Sequence, residues 1–164
     1  LLRNWHNHKA RALKAAVLRH LGRTDEALAL IDDSLKIDAF NYGCLFEQCL
    51  LKKGFNETLT HLMRGESHNY DEVALDYCQA GLADEALALW NIAIEEGAVT
   101  PMTYYYMAWA VNAFGASCSL SVADLISKAE QQNFDFCFPN RPEAVLALKF
   151  ALMVYLKLKT QLFL

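Results

Sequence analysis

A chain of 164 residues, 54% of them hydrophobic, has the length and apolar content for one compact domain. Its 15 Lys and Arg against 19 Asp and Glu leave a formal charge of −4, which provides no electrostatic footprint for nucleic acid or an anionic membrane. The five cysteines are odd in number and contain no CxxC pair, which argues against a disulfide framework or a zinc site and for free thiols in a reducing cytoplasm.

The opening LLRNWHNHK lacks an initiator Met, a long apolar run and a small-residue cleavage site, so it is read as the middle of a larger protein and not as a signal peptide. The first predicted helix is RALKAAVLRHLG, with Leu13, Ala16, Val17 and Leu21 on one face and Gly22 at its end. The second is TDEALALIDDSLKI, with Ala27, Leu28, Ile31 and Leu35 on one face. Asp25 and Glu26 suit its positive dipole end, and Thr24 is the expected N-cap. A third helix, NYGCLFEQCLLKKG, ends at Gly54, and a short fourth follows in NETLTHLMRG.

The phrase DEALAL then recurs 59 residues after its first appearance, in GLADEALALW, with Ala83 where the first copy has Thr24. A helix over 101–115 closes at Gly115, another follows around Val122 to Gln131, and a last one begins at Pro142. The apolar run AVLALKFALMVYL carries Lys149 and is too short and too charged for a membrane span, so a buried helix is expected there.

Gly22, Gly54, Gly81 and Gly115 are spaced by 32, 27 and 34 residues, near the period of a helix–turn–helix repeat. At these positions the chain resembles tetratricopeptide repeats. Residues 67–100 match best, through Tyr70, Val73, Ala74, Tyr77, Gly81, Ala86, Trp90 and Ala93. Residues 8–41 match through Ala15, Leu18, Gly22, Ala27 and Ile31, while Arg11 and Ser34 depart from the pattern. Residues 40–66 form a degenerate unit, about two turns short, with Glu47 in the small-residue slot and Leu59 where alanine belongs. Residues 101–134 match as a first helix through Tyr104, Met107, Ala108 and Gly115, with a displaced second helix.

The resemblance implies an all-α fold. It is an α-α superhelix of about three to four repeats plus a C-terminal helix, in a single domain over residues 1–164. Ala15, Ala74 and Ala108 would let the second helix of a pair approach the first; Ala27 and Ala86 would let the next pair stack. A narrower likeness, carried by LDYCQAG and FDFCFPNRPEAVLALKF, is to the repeat region of large bacterial proteins that join a carbohydrate-enzyme-like β-sandwich region of unknown function to such repeats.

The chain has no GxSxG, P-loop, GxGxxG or HExxH, so no catalytic residue, cofactor or metal is expected. His6 and His8, two apart, fall on different helix faces, and His61 and His68 straddle Gly65. Cys44 and Cys49 suit a core or groove, and the pairs Asp32–Asp33 and Glu95–Glu96 suit a solvated surface.

Carried over from the family, a concave binding face would present Lys9, Ala12, Leu13, Ala16, Arg19 and His20 from the first repeat. The third would offer His68, Asp71, Glu72, Leu75, Cys78 and Gln79, and the fourth Met102, Tyr105, Tyr106, Trp109 and Asn112. The basic clamp by which some members hold acidic C-termini is replaced by Ala12, Ala16, Leu45, His68 and Glu72. Tyr105, Tyr106 and Trp109 are either a binding hot spot or packing for the next helix pair.

The expected function is a non-catalytic scaffold for a protein, a peptide or a neighbouring domain of the same polypeptide. The alternative is an accessory module of a multidomain carbohydrate-active enzyme. Self-association through the apolar ends LLRNW and TQLFL is also expected, since terminal repeats need polar caps.

Overall fold

The computed structural model describes residues 7–52 and 57–132, and among these every regular element is an α-helix. The order is α1 (His8–His20), α2 (Thr24–Ile37), α3 (Tyr42–Lys52), α4 (Glu57–Met63), α5 (Ser67–Gln79), α6 (Ala83–Glu95), α7 (Pro101–Phe114) and α8 (Val122–Gln131). None of these helices is long and apolar enough to cross a membrane. Gly54, the helix expected from Pro142 and the two apolar ends lie outside the described residues.

The glycines stop the helices by a shared backbone device. Gly22 and Gly81 have φ of 71° and 80°, which side-chain-bearing residues adopt only with strain. At α1 the Arg23 amide reaches back to the Leu18 carbonyl at 2.9 Å, and the Gly22 amide to Arg19 at 3.0 Å. At α5 the Leu82 amide bonds Tyr77 at 2.9 Å and the Gly81 amide bonds Cys78 at 3.0 Å. These are Schellman closures, which satisfy carbonyls a helix end would otherwise leave bare. Gly97 ends α6 the same way, with the Ala98 amide on Ala93 at 2.8 Å.

The starts differ from expectation at Thr24. It lies inside α2 as the first helical residue, and Arg23 occupies the cap without a side-chain hydrogen bond to the first-turn backbone amides. Leu82 plays the same part for α6. The C″ residue of one helix is at the same time the N-cap of the next, and at that place stand Arg23 and Leu82, neither of which carries a short oxygen side chain able to accept from the first-turn amides. Arg23 instead pairs with Glu26 at 2.6 Å on the surface. Side-chain caps occur elsewhere: Asn7 accepts from the Ala10 amide at 2.9 Å, and Ser121 and Asp124 cap α8 reciprocally.

Consecutive helices pack as neighbours, α1 on α2, α5 on α6 and α7 on α8. The odd-numbered helices also touch in succession, α1 on α3, α3 on α5 and α5 on α7. Ala15, Ala27, Ala74, Ala86 and Ala108 are all fully buried in this packing. The tightest approach is between α1 and α3, where a Cβ built on Gly43 would lie 2.6 Å from that of Ala12. Helix α4 has seven residues where α2 has 14.

The inward face of α1 is not the one the larger apolar residues suggest. Val17 and Leu21 are 54% and 64% exposed, whereas Arg11, Ala12, Ala15, Ala16 and Leu18 are buried. Close helix approach selects the small-residue stripe, one step around the helix from the Leu–Val stripe.

Candidate binding groove

A cleft of about 510 Å³ opens between the start of α1, the α2–α3 turn, the start of α3 and the middle of α5. The turn is built by Asp38, whose carboxylate accepts the Phe40 amide at 2.9 Å. Asn41 then anchors it, donating to the His8 carbonyl at 3.4 Å and accepting from the Cys44 amide at 3.2 Å. This leaves Phe40 at the lip, 47% exposed, edge-on to Tyr42 with ring centroids 6.5 Å apart. The Arg64 guanidinium lies over the Phe40 ring at 5.9 Å. Half-buried Leu13 and Val73 supply the apolar floor.

The rim is charged. Lys9 donates to Asp76 and, at 3.3 Å, to Gln79. His8 stands 3.7 Å from Asp38, and His68 stands 3.8 Å from the exposed Glu72. Of the residues expected on a concave face, Lys9, Ala12, Leu13 and Glu72 therefore line one cleft, and Gln79 joins them through Lys9. Asp38, Phe40, Tyr42 and Asp76 were not anticipated. The α2–α3 turn lies outside the helix positions that the repeat pattern carries over, although the aromatic pair in KIDAFNYG was a visible signal.

Arg19 and His20 take part in a different assembly at the other end of α1. Arg19 donates to Glu47 at 2.8 Å and to Glu85 at 3.0 Å, and His20 contacts the same Glu85 at 2.7 Å. Glu47 is fully buried and also accepts from the Tyr77 hydroxyl at 2.8 Å. One network thus ties α1, α3, α5 and α6 together. Burial alone would lower the Arg19 pKa, but the hydrogen bonds it donates to Glu47 and Glu85 hold it above the ordinary value. Burial would raise that of Glu85, yet hydrogen bonds from Arg19, its own backbone and His20 leave it below the usual range. Burial drives the Tyr77 hydroxyl well up, with Glu47 adding to it.

Asp71, Tyr105 and Trp109 sit inside the fold and not on an accessible face, at 7%, 1% and 7% exposure. Asp71 accepts from the Trp90 indole at 2.9 Å and from the Thr103 hydroxyl at 3.4 Å. Burial pushes its carboxyl up to about 6 against those two hydrogen bonds. Tyr106 is half-buried and stacks on Trp90, centroids 6.4 Å apart and planes 16° from parallel. Trp109 meets Phe114 edge-on at 5.1 Å.

Cys44, Cys49 and Cys78 are buried, and burial pushes the thiols of Cys44 and Cys78 up to about 11 and about 12, so both stay protonated and inert. His6 and Cys137 lie outside the described residues. Comparison with family models, with curated proteins and with solved structures gives no match to this chain.

Proposed function

We propose that this chain is a non-catalytic helical scaffold of the tetratricopeptide type, acting in the cytoplasm, that holds a protein segment or a neighbouring domain in the cleft between α1, α3 and α5. The observation that carries the reading is the cleft itself. A concave volume of about 510 Å³ presents an exposed Phe40 beside Tyr42, with a polar rim, which is the make-up of a recognition surface with an aromatic anchor. Support for the repeat architecture comes from the paired helices, the glycine closures and the buried alanines at corresponding positions. The acidic and histidine residues at Glu72 and His68, where a carboxylate clamp would need basic groups, disfavour an acidic C-terminus as the ligand.

The test is selection of binders from a random-peptide display library, followed by mapping of amide shifts in a labelled sample. Selected peptides should move the amides of Leu13, Phe40, Tyr42 and Val73, and Phe40→Ala should abolish the binding. Failure to select any peptide, or shifts confined to the opposite face, would refute the proposal.

A further inference from the structure

Three carboxylates, Asp38, Glu72 and Asp76, line this cleft against one lysine, Lys9. With the single histidine counted neutral, the lining residues carry a net charge of about −2, and Arg64 beside the Phe40 lip brings the neighbourhood to about −1. The cleft's own contacts are those of a cation site: the Lys9 ammonium sits on Asp76, and the Arg64 guanidinium sits on the face of Phe40. Glu72 has its side chain 70% exposed, and Asp38 keeps 34% of its own exposed. Among the described residues the ion-pair partner of each is a histidine, His68 for Glu72 at 3.8 Å and His8 for Asp38 at 3.7 Å, and neither carboxylate is paired with a lysine or arginine. Between them lies apolar surface from Phe40, Leu13 and Val73.

We infer that the occupant of the cleft is a protein segment carrying lysine or arginine next to an apolar side chain, an inference that rests on the groove reading above. The apolar residue packs on Phe40, and the cationic group reaches Glu72 and Asp38. An acidic segment is repelled by the same walls, so charge sets the specificity while the aromatic lip supplies contact area. Lys9 competes with the partner for Asp76 and limits the affinity.

The experiment measures binding of three end-capped peptides to the full chain by fluorescence anisotropy. The first alternates leucine with lysine and arginine; the second replaces the basic residues by glutamine; the third replaces them by glutamate. The basic peptide should bind on the order of tenfold more tightly than the glutamine peptide, and the glutamate peptide should not bind. The triple variant Asp38→Asn, Glu72→Gln, Asp76→Asn should lose that preference, and Lys9→Met should raise affinity for the basic peptide several-fold. Affinity should fall as salt rises from about 50 to about 300 mM.

Equal binding of the basic and glutamine peptides, both abolished by Phe40→Ala, overturns the inference and leaves the groove reading standing. If none of the three binds, the inference falls, while the groove reading stands or falls with the library selection. A basic peptide whose affinity ignores Lys9→Met and salt also overturns the inference, and that arm remains decisive if the triple variant does not fold. Loss of a self-associated dimer in the triple variant would make a second copy the occupant and overturn it as well.

Discussion

Arg11 and Ser34, the two positions at which the first helix pair departs from the repeat pattern, hydrogen-bond one another in the core. The Arg11 Nε donates to the Ser34 Oγ at 2.7 Å, and the two residues are 3% and 0% exposed. Ser34 in turn donates to the Leu30 carbonyl. The departures therefore compensate each other across α1 and α2. Ser34→Ala should cost about 1–3 kcal/mol, because the buried guanidinium loses an acceptor. Replacing both residues with apolar ones, Arg11→Met with Ser34→Ala, should cost less than the two single changes added together. Urea denaturation of the four proteins checks this, and strict additivity would show that the pair is not coupled.

The Glu47 carboxylate is the centre of a second compensation. A fully buried acid stands where the resemblance to tetratricopeptide repeats calls for a small residue, and Arg19 from α1 and the Tyr77 hydroxyl from α5 both reach it. Glu47→Ala should destabilise by about 2–4 kcal/mol, since it removes one of the two carboxylates that hold Arg19, takes the acceptor from the buried Tyr77 hydroxyl and opens a cavity. Tyr77→Phe removes one hydrogen bond of this network and should cost only about 1–2 kcal/mol. Thermal melts that rank Tyr77→Phe as the more damaging change would contradict this assignment.

These two networks mark the boundary of what the sequence disclosed. Helix ends were legible because Gly22 and Gly81 act through their own backbone and a few neighbours on the chain. The alanines at repeat positions were legible for the same reason: a period is a local pattern. Glu47 was legible only as a misfit. Its partners lie 28 residues before it and 30 after it, and no local rule brings them together. Along α1 the periodic set Leu13, Ala16, Val17 and Leu21 is only partly buried, while the repeat positions Ala15 and Leu18 are buried, because two stripes, one of alanine and one of Leu and Val, compete along one helix. Which one is buried depends on how near α3 comes, and that is a tertiary fact. In the cleft, Lys9 and Glu72 are among the residues that the resemblance assigns to a concave face, whereas Phe40 depends on a turn that the repeat pattern does not specify.

The approach of α3 gives a direct packing test. Gly43 has ordinary helical backbone, so a substitution there is judged by space alone, and an added Cβ meets the Ala12 Cβ at 2.6 Å. Gly43→Ala should cost about 1–3 kcal/mol by overpacking, although alanine is the better helix former. Adding Ala12→Gly should recover part of the loss by returning the space. If the single variant melts at or above the parent temperature, α1 and α3 are not in contact there.

Asp71 makes stability depend on pH in an uncommon direction. Burial raises its folded pKa to about 6, above the ordinary 3.8. The folded state therefore holds this proton more tightly than the unfolded chain. Its contribution is fully present below pH about 4, falls as pH rises toward 6, and is gone above pH about 7. The size of the swing is at most about 3 kcal/mol, from roughly two pKa units. Glu85, whose folded pKa is held below the ordinary value, pulls the opposite way as the pH falls, so the raw curve mixes the two. Comparison with Asp71→Asn isolates the term, because asparagine keeps an acceptor for the Trp90 indole but does not titrate. The stability of the parent relative to this variant should decline between pH 4 and 7 and stay flat above that. A difference that rises with pH would mean that Asp71 is stabilised as the carboxylate by Trp90 and Thr103, with hydrogen bonding outweighing burial.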